Sequence, residues 1–598
     1  MRLDEVIRGI AITDRRGVFD ANVSGLTSDS RRVGPGQLFV AVRGGQQDGH
    51  DYIPEALRRG ASGVMGEAWP ESADEIAKPN VVLVPDARRA LALAAANFYG
   101  QPSRKLLVAG VTGTNGKTTV TYVLESIIRA ASKKVGVIGS VDCRYNGATH
   151  PLPYTTPDAV TLQETLSRMG EAGVTHLAME VSSHALDQQR VAGLHFKVAG
   201  FTNLSQDHLD YHKTLDEYFE AKARLFSEFL RKSRARGRMA VVNIDDPRGE
   251  EILKRWGGKS LRVSLDAKSE GDLHALETNY SLDGIEAVVK TSKGVWEMKS
   301  GLIGSHNLSN VLVAVGMALA MGFSKQRILR GLESLERVPG RLDRVPDAKG
   351  RKVFVDYAHT PDALSKALAA IKPLVKGRLI VVFGCGGDRD QDKRGPMGEA
   401  VAGVADCAIV TNDNPRTESP ASIASAVEAG LTKAGWTKGA GLQPKTFAVE
   451  LERRAAIRLA VEGLKDDDVL VIAGKGHENY QIVGTEKRRF DDFDEARRLL
   501  AGEPPPPPML IEDPAEISIE EIDDDGLEIL EGDEILAEVV EASSQTQSVD
   551  PSNIVEEVDM EPDIVAEAEE ELVTPVVEAE DEQGKGGGSG KPPDPHKT

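Results

Sequence analysis

A glycine-rich segment after an apolar run is the clearest chemical signal in the sequence. The run LLVAGV, which we predict as a buried strand, continues into TGTNGKTT and then into TTVTYVLESIIRAA, whose apolar spacing predicts a helix. Such a turn aims backbone N–H groups and the helix dipole at an anion. Gly113 and Gly116 allow the chain to approach phosphates closely, and Lys117 supplies a charge for their oxygens. We therefore predict a nucleoside triphosphate site, with Mg²⁺ on the Thr118 hydroxyl.

The loop departs from the strict phosphate-loop pattern at one position. That pattern requires glycine where this chain has Val111, and further glycines stand at 110 and 113. The loop by itself is compatible with a kinase, an ATPase, a GTPase or a ligase. The predicted phosphate-binding residues are Gly113, Thr114, Asn115, Gly116, Lys117, Thr118 and Thr119.

Acidic and histidine side chains follow two later predicted strands. Glu180 ends the apolar segment HLAME, and a carboxylate at the carboxyl end of a parallel strand can face the loop and hold a metal ion. The segment NLSQDHLDYH follows the next strand and contains Asp207, His208, Asp210 and His212. We interpret His208 as functional because it lies beside a strand end and a carboxylate. By contrast Lys222, in EYFEAKARLF, lies on an amphipathic helix, and its pattern alone predicts a solvated lysine.

Alternating apolar strands and helices surround these residues. One series begins near Leu106 and a second near Val353, and both are typical of mostly parallel sheets covered by helices. The first hundred residues contain short strands and end at YGQPSRK, which predicts a smaller α/β unit. We predict an α/β protein with domains at 1–104, 105–339 and 340–502, followed by a tail at 503–598.

The tail differs in composition from the rest of the chain. Of the 598 residues, those from Glu503 onward include 30 acidic residues and three lysines, a net charge of −27, whereas the remainder carries a net charge of +6. Five prolines predict a stiff spacer, and the acidic segments after it predict disorder. The tail is either a solvating appendage or a motif that folds on an unidentified basic partner.

Charge and cysteine content exclude several classes of protein. The mild positive charge of the body suits anionic small molecules, and without a Lys/Arg tract that would follow a phosphate backbone we expect no nucleic-acid partner. Three separated cysteines exclude a disulfide scaffold and a zinc ribbon, and they suit the cytoplasm. No signal-peptide core and no stretch of 18 apolar residues occurs, so we expect no membrane span.

Eleven ordered segments resemble the Mur ligase family. They are TGTNGKTT, TTPD, MEVSSHALDQQRV, FTNLSQDHLDYH, YFEAKARLF, GSHNLSNVLVA, PGRLDRV, VDYAHTPDAL, GCGGDRDQDKR, DNPRTESP and AGKGHENYQ. The resemblance covers roughly residues 20–500. It implies the three-domain Mur ligase architecture, with a central P-loop ATPase domain and a Rossmann-like C-terminal domain, and the family also carries the altered first glycine.

The resemblance also implies an activity. The sequence is most similar to the members of the family that use ATP to add meso-2,6-diaminopimelate to UDP-N-acetylmuramoyl-L-alanyl-D-glutamate in peptidoglycan precursor synthesis. The expected reaction passes through an acyl phosphate and releases ADP and phosphate. We expect ATP as co-substrate, two Mg²⁺ ions and a monomeric enzyme.

The family implies roles for matching positions of this chain. The ATP contacts after domain closure would be Asn307, Asn310, Arg341 and Asp356. The UDP-substrate contacts would be Ser28, Ser30, Gly45, Gln46, Gln47, Thr155, Thr156, Ser182, Gln188 and Arg190. The catalytic residues would be Lys117, Glu180, His208 and Lys222. Lys222 matches a lysine that members carry as a carbamate (N6-carboxylysine), which would hold Mg²⁺ together with Thr118, Glu180 and His208.

The incoming amino acid is indicated by the DNPR segment. Members that add meso-diaminopimelate carry this segment, whereas members that add L-lysine lack its arginine. Diaminopimelate has a second carboxylate that the planar guanidinium of Arg416 can hold with two hydrogen bonds. The expected diaminopimelate contacts are Arg389, Asp413, Asn414, Pro415, Arg416, Gly474 and Glu478, of which Glu478 suits an amino group.

Three other functions remain as alternatives. The chain could ligate another amino acid to the same nucleotide or add glutamate to folate, although DNPR and the lack of a folate-type signal disfavour both. A regulatory P-loop ATPase that acts through the acidic tail is the alternative from another class. It would hydrolyse ATP without depending on a uridine nucleotide.

Overall fold

The computed structural model describes residues 1–45, 47–70, 73, 79–439 and 442–504. All of them belong to one unit, Met1–Glu528. The expectation for Gln46 and the predicted tail, apart from its first two residues, lie outside the described residues.

Sixteen α-helices occur in the described residues. They are α1 Leu3–Val6, α2 Ile53–Arg58, α3 Ala87–Phe98, α4 Lys117–Ala130, α5 Ala159–Glu171, α6 Ser183–Asp187, α7 Leu209–His212, α8 Leu215–Arg224, α9 Gly249–Trp256, α10 Ser305–Ala320, α11 Lys325–Glu333, α12 Pro361–Ile371, α13 Arg394–Ala402, α14 Pro420–Lys433, α15 Arg453–Glu462 and α16 Asp492–Ala501. A π-helical segment, Leu225–Leu230, continues α8.

Twenty-five strands occur in the same residues. They are β1 Asp14–Arg16, β2 Leu26–Thr27, β3 Leu38–Val40, β4 Gly63–Gly66, β5 Asn80–Leu83, β6 Leu107–Thr112, β7 Val135–Ile138, β8 Cys143–Tyr145, β9 Ala148–His150, β10 His176–Glu180, β11 Phe196–Phe201, β12 Met239–Asn243, β13 Ser260–Ser264, β14 Leu273–Ser281, β15 Gly284–Thr291, β16 Gly294–Ser300, β17 Asp343–Arg344, β18 Lys352–Asp356, β19 Leu379–Phe383, β20 Cys407–Val410, β21 Thr437–Lys438, β22 Thr446–Val449, β23 Val469–Ala473, β24 Tyr480–Val483 and β25 Glu486–Arg489.

The first sheet has five strands in the order β1-β5-β4-β3-β2, and β1 is its antiparallel strand. Its short strands alternate between two cores because successive side chains point to opposite faces. Leu38 and Val40 join a core that includes α1 and α3, whereas Phe39 packs with Ile53 and Ala56 of α2. This sheet confirms the predicted small α/β unit.

The central sheet has eleven strands in the order β16-β15-β14-β13-β12-β11-β6-β10-β7-β8-β9. Strands β14 to β7 of this order are parallel to their neighbours, and antiparallel pairing adds β15 and β16 at one end and β8 and β9 at the other. In β6, Ala109 and Val111 face a core with α4 and α10, whereas Val108 faces a core with α5 and α8. The predicted parallel sheet with helices on both faces is confirmed. Sequence analysis did not identify the antiparallel extension β14–β16.

The third sheet has seven strands in the order β17-β18-β23-β19-β20-β22-β21, and β17 is antiparallel to its neighbour. Helices α12, α13 and α14 cover one face, and α15 and α16 cover the other. The second predicted α/β series is therefore also confirmed. The exact boundaries near residues 104, 339 and 502 stay predictions.

The order of the parallel strands determines where the predicted site residues lie. In the central sheet β6 lies between β11 and β10, so the loop after β6, the segment after β11 and Glu180 share one edge. In the third sheet the neighbours β18, β23, β19 and β20 end near Asp356, Gly474, Arg389 and Asp413. Both sets lie at carboxyl edges, where α/β sheets bind ligands.

None of the described helices combines the length and the apolar character needed to cross a bilayer.

Helices α4 and α11 approach each other closely at Gly331. A Cβ added there would lie 2.4 Å from the Cα of Ile127, and Ser126 Oγ donates a hydrogen bond to Gly331 O at 2.6 Å. We predict that Gly331→Ala lowers the free energy of unfolding by about 1–3 kcal/mol, because the clash is with backbone that cannot rotate away. Urea unfolding followed by circular dichroism measures this change.

Gly170→Ala is the matched control, because Gly170 lies on α5 and an added Cβ there would meet no atom within 4 Å. It should leave stability unchanged or raise it by about 0.4–1 kcal/mol. Equal effects of the two substitutions would contradict the close packing of α4 on α11.

Candidate active site

The loop between β6 and α4 has the geometry that the sequence predicts. Gly116 lies in the left-handed region with φ of 89° and caps α4, which begins at Lys117. A Cβ at Gly116 would lie 2.1 Å from Oδ1 of Asn310, and one at Gly113 would lie 1.9 Å from Oγ1 of Thr202. The two glycines are therefore required by close approach of other residues as well as by backbone conformation.

The segment Thr202–Ser205, which follows β11, forms hydrogen bonds with this loop. The sequence analysis did not assign a role to this segment. Thr202 Oγ1 donates to Asn115 O at 2.6 Å, and Asn203 Oδ1 accepts the Asn115 N–H at 3.0 Å. Thr114 Oγ1 donates to Ser205 O at 3.2 Å and accepts from Ser205 N at 3.0 Å. The loop is held open by these bonds before any ligand binds. The position of FTNLS after a strand was the available signal.

Lys117 lies over its own loop, where Nζ donates to Gly113 O at 3.0 Å and to Thr114 O at 2.9 Å. Burial lowers the pKa of Lys117, while the carboxylates of Glu180 and Asp207 oppose that shift. A phosphate group would provide the Lys117 ammonium with a stronger acceptor than these carbonyl oxygens.

Glu180 is the last residue of β10 and is 1% exposed. Its Oε1 accepts the Ser140 N–H at 2.9 Å, and its Oε2 accepts the Ser140 hydroxyl at 3.1 Å. Ser140 thus orients Glu180, a role that the sequence analysis did not identify.

Lys222 is buried, so the solvated lysine that its helical pattern predicts is wrong. Its side chain is 1% exposed, Nζ donates to Gly113 O at 3.0 Å, and the ammonium lies 4.1 Å from the centroid of the Tyr218 ring. The helix α8 carries it beneath the phosphate-binding loop, which a helical repeat alone does not reveal. Burial and the charge of Lys117 hold the pKa of Lys222 well below its usual range. A neutral amine is the form that reacts with CO₂, so the site fits a carbamate.

His208 lies at the start of α7 in the left-handed region, with φ of 51°. Its ring centroid is 5.0 Å from that of His184 and 5.9 Å from that of Tyr218, and Nε2 is 3.6 Å from the Asp207 carboxylate. Across the described ranges, His, Cys, Asp and Glu form no group of three that could hold a metal ion.

The expected nucleotide contacts surround the loop from two other segments. Asn307 and Asn310 lie on α10. Asn307 Oδ1 accepts hydrogen bonds from Thr119 Oγ1 at 3.5 Å and from Asn310 Nδ2 at 3.3 Å. Arg341, which precedes the third sheet, donates to Thr118 Oγ1 at 3.2 Å. Asn307, Asn310 and Arg341 therefore lie close to the phosphate-binding loop. Arg341 forms a hydrogen bond between the third-sheet part of the chain and this loop.

Asp356 has a different environment from the one a nucleotide contact suggests. Its carboxylate accepts the backbone N–H groups of Leu342 and Ala358 at 2.7 and 2.8 Å. Burial raises the pKa of Asp356. The side chain thereby fixes the turn that carries Arg341.

Most of the expected muramoyl-peptide contacts form one network beside Glu180. Thr156 Oγ1 donates to Glu180 O at 2.9 Å, Ser140 Oγ lies 3.0 Å from Thr155 Oγ1, and Ser182 N donates to Thr156 Oγ1 at 3.0 Å. Arg190 continues the network: it donates to Thr156 O at 2.9 Å and to Gln188 Oε1 at 2.7 and 2.9 Å.

The expected uridine contacts lie in the first sheet and make local bonds. Ser28 and Gly45 are exposed, Ser30 Oγ donates to Glu55 Oε2 at 3.4 Å, and Gln47 Oε1 accepts from Tyr52 OH at 2.8 Å.

Helix α3 connects the first sheet to the central one. Arg89 of this helix donates to Gln189 Oε1 at 3.3 Å and to Glu228 Oε1 at 2.8 Å.

The expected amino-acid contacts lie on three loops of the third sheet. Gly387 N donates to Asn414 O at 2.9 Å, and Arg416 donates to Gly387 O at 2.7 Å.

Gly386 leaves room for two arginines. A Cβ at Gly386 would lie 3.2 Å from a guanidinium nitrogen of Arg416 and 3.8 Å from the Arg389 side chain. The structure therefore brings Arg389 and Arg416 to one place. Pro415 packs against the same turn: its carbonyl oxygen would lie 1.9 Å from a Cβ added at Gly387, so only glycine fits there.

Acidic groups lie on the loops after β20 and β23. Asn414 Nδ2 donates to Glu478 Oε2 at 3.1 Å, and an added Cβ at Gly474, where φ is 117°, would lie 3.2 Å from Asp413 Oδ2. Lys475, which the sequence analysis did not assign, donates to Asn414 Oδ1 and Glu478 Oε2 at 3.0 and 2.8 Å. Burial raises the pKa of Glu478, and the Lys475 charge opposes the shift.

The two carboxyl edges face each other. His477, on the same loop as Lys475, interacts with the backbone of Ser140, and its ring lies 4.9 Å from that of Tyr357. Burial and the charge of Arg341 lower the pKa of His477 to about 3, so this ring is neutral near pH 7. A group bound at the phosphate loop and one bound at Arg416 would therefore approach each other.

Three segments of the chain match domains of one protein family. Residues 22–99 match the Mur ligase family catalytic domain, 111–318 the Mur ligase middle domain and 340–476 the Mur ligase glutamate ligase domain. Over 502 residues the chain is 44% identical to the UDP-N-acetylmuramoyl-L-alanyl-D-glutamate--2,6-diaminopimelate ligase of Geobacter metallireducens, which covers 83% of this chain and 97% of that protein. The chain belongs to the Mur ligase family.

Two further Mur ligases support this assignment. The ligase of the same name from Gloeobacter violaceus is 43% identical over 502 residues, which are 84% of this chain and 98% of that protein. A solved structure of a ligase with this name has 33% identity and a TM-score of 0.61 over 84% of this chain and 99% of its own. The predicted family, α/β class and Mur ligase architecture are confirmed.

The Thr202 contact generates a test of the phosphate loop in this Mur ligase. Thr202→Val keeps the shape of the side chain but removes its hydrogen bond to Asn115 O. Without this hydrogen bond the loop must lose conformational freedom when ATP binds. We therefore predict that Thr202→Val binds ATP about five- to tenfold more weakly than the wild type, as expected for loss of about 1 kcal/mol of binding free energy. Isothermal titration calorimetry with a non-hydrolysable ATP analogue measures the change.

Thr175→Val is the control, because Thr175 Oγ1 donates to a carbonyl, Lys134 O, at the opposite edge of the same sheet. It should leave ATP affinity unchanged. Equal affinity in the two variants would contradict the fastening role of Thr202.

Proposed function

We propose that the chain is the ATP-dependent ligase that adds meso-2,6-diaminopimelate to UDP-N-acetylmuramoyl-L-alanyl-D-glutamate in peptidoglycan precursor synthesis. The observation that carries the proposal is the pairing of two sites: a phosphate-binding loop on the central sheet faces the loops of the third sheet that carry Arg416 and Glu478. The names of the relatives support the same reaction.

Arg416 supports diaminopimelate as the amino acid. The guanidinium lies beside Gly386 and Gly387, where a planar fork can hold a carboxylate with two hydrogen bonds. The carboxylates of Asp413 and Glu478, on the loops after β20 and β23, suit an ammonium group. L-Lysine lacks this distal carboxylate, and a site built to hydrogen-bond a substrate group can reject an analogue without that group by factors of about 10⁴.

The reaction would proceed in two steps at the facing edges. The γ-carboxylate of the D-glutamyl residue attacks the γ-phosphorus of ATP, which gives an acyl phosphate and releases ADP. The diaminopimelate amine then attacks the acyl carbon, and the tetrahedral intermediate expels phosphate and loses a proton. Lys117 would neutralise charge on the transferred group, and Arg341 would approach it from the third sheet.

The residues that would hold Mg²⁺ offer oxygen or nitrogen donors around the loop: Thr118, Glu180, His208 and Lys222 as its carbamate. When bound, Mg²⁺ supplies charge neutralisation on the phosphate oxygens. Carbamylation joins the neutral Lys222 amine to CO₂ and releases one proton, so a buried neutral group becomes an anion. The low pKa of Lys222 and its contact with Gly113 O support this assignment.

The remaining site assignments belong to the same proposal. The network of Thr155, Thr156, Ser182, Gln188 and Arg190 would receive the muramoyl peptide next to Glu180. The residues Ser28, Ser30, Gly45, Gln46 and Gln47 would receive the uridine nucleotide. We further propose a cytoplasmic monomer, which is consistent with buried, unpaired Cys143, Cys385 and Cys407.

The decisive experiment measures phosphate release and product formation with the UDP-dipeptide, ATP and either meso-diaminopimelate or L-lysine. Product should require all three substrates, and diaminopimelate should exceed lysine by about 10³-fold or more in kcat/KM. ATP hydrolysis that is independent of the UDP-dipeptide would instead support a regulatory ATPase.

Arg416→Met should remove this preference, because the variant cannot hold the distal carboxylate. We expect kcat/KM for diaminopimelate to fall by about 10²–10³-fold and that for lysine to change little. Lys366→Met, on the exposed face of α12, is the control and should retain the preference. Coupling of lysine by the wild-type enzyme as readily as diaminopimelate would refute the specificity.

Lys222→Ala tests the carbamate. The variant loses the anion, so turnover should fall by about 10²-fold or more, and short carboxylates such as acetate or formate should restore part of it by occupying the space left. Turnover at 1 mM and 50 mM added formate provides the comparison. Lys232→Ala, two residues beyond the π-helical segment and exposed, should need no rescue. Full activity of Lys222→Ala without added carboxylate would exclude the role.

A further inference from the structure

Lys475 lies at the centre of the candidate amino-acid site, and the proposed reaction gives it no role. Its side chain has no exposed surface. The ammonium donates to Asn414 Oδ1 at 3.0 Å and to Glu478 Oε2 at 2.8 Å, and it lies 3.6 Å from Asp413 Oδ1. One buried cation thus contacts three residues that we assign to diaminopimelate.

These contacts fix the orientation of Asn414. Its Oδ1 accepts from both Lys475 Nζ and the backbone N–H of Ile482, at 3.0 and 3.1 Å. Its Nδ2 must then point to the other side, where it donates to Glu478 Oε2 at 3.1 Å. Without the Lys475 donor the amide would lose one of the two interactions that select this orientation.

The cluster has a simple charge balance. Asp413 and Glu478 contribute two negative charges and Lys475 one positive charge, which leaves one negative charge. The nearby guanidinium of Arg453 is already matched, because it forms two hydrogen bonds with Asp492, at 2.7 and 2.6 Å, and both side chains are fully buried.

The other groups around Glu478 do not change this balance. His477 is neutral near pH 7 because its pKa is about 3. Tyr480 contributes a ring that lies 5.3 Å from the Lys475 ammonium. Asn414 and Gln481 are uncharged, and Gln481 Nε2 donates to Asp413 O at 2.7 Å.

We propose that Lys475 is a positioning residue: it holds the Asn414 amide and the Glu478 carboxylate in the orientation in which the site, with one net negative charge, receives one ammonium group of the incoming amino acid. The inference rests on the proposed function. Lys475 contacts no reacting atom; it acts through Asp413, Asn414 and Glu478.

Removal of Lys475 would change the ionisation of the site. The ammonium lowers the pKa of Glu478, whereas burial and Asp413 raise it. Without Lys475 the Glu478 pKa rises, so the carboxyl group is protonated at low pH and cannot attract an ammonium group. Its negative charge returns only as the pH rises through the new pKa.

Lys475→Met in the full-length enzyme tests the proposal because methionine keeps most of the buried volume. We expect KM for meso-diaminopimelate to rise about tenfold or more, as is typical when one partner of a buried charge pair is removed. The values of kcat and of KM for ATP and the UDP-dipeptide should change by less than about threefold. In the variant, KM for diaminopimelate should fall as the pH rises, while the wild-type value changes less.

The double variant Lys475→Met/Glu478→Gln separates charge from packing. At low pH, where Glu478 of Lys475→Met is protonated, the two variants carry the same net charge through Asp413, so their KM values for diaminopimelate should be similar. Only the single variant should improve as the pH rises, because only it can regain the Glu478 carboxylate. The same pH trend in the double variant would overturn the proposal. If Lys475→Met does not fold, Glu478→Gln alone, with no net charge, must bind diaminopimelate more weakly and without a pH trend.

Arg378→Met is the structural control. Arg378 pairs with Asp468 at the opposite edge of the same sheet. It should lower the melting temperature yet leave KM for diaminopimelate and its pH dependence unchanged. Equal rises of KM for all three substrates in Lys475→Met would assign Lys475 a purely structural role.

The experiment distinguishes the two levels of inference. If the wild-type enzyme does not couple diaminopimelate, the proposed function fails. If the wild-type enzyme is active and Lys475→Met retains the wild-type KM and pH profile, only the inference about Lys475 fails.

Discussion

The parallel pairing of β6 with β10 on one side and β11 on the other is the constraint on which the site depends. In this register Val111 lies opposite Glu180, and Thr112 lies opposite Phe201, so three strands end at the same level. The phosphate loop, the Glu180 carboxylate and the Thr202–Ser205 segment therefore meet without any side-chain contact being needed to gather them. Backbone hydrogen bonds of the sheet fix this meeting, and the side chains refine it.

The third sheet supplies the second half of the site by the same rule. Its parallel strands end in loops that carry Asp356, Arg389, Asp413 and Lys475. The guanidinium of Arg341 reaches Thr118 from this side. Two carboxyl edges that face each other are well suited to joining two substrates, because each edge can hold one of them while the reacting groups meet between them.

Buried charges divide into two kinds in this molecule. Arg453 with Asp492 and Arg378 with Asp468 are paired and hydrogen-bonded, so each supports its own part of the third sheet. Lys222 is buried without an ion pair to any described residue, and its pKa is correspondingly low. Charges that a fold buries without a matching partner are expected where a ligand or a modification completes the site.

Sequence alone determined the features that depend on neighbouring residues. The strand–loop–helix around Lys117, the alternating α/β series and the DNPR segment are local patterns, and their physical meaning does not require the rest of the chain. The eleven family segments added residue roles that no local pattern contained.

Only the tertiary structure decided which distant residues meet. A helical repeat places Lys222 on a face of α8 but does not say what covers that face, so its burial beneath Gly113 could not be foreseen from its pattern. The roles of Thr202, Ser140 and Lys475 likewise arise from contacts across strands far apart in the chain. Local sequence specifies periodicity and backbone conformation, whereas burial and charge balance depend on which surfaces the folded chain brings together.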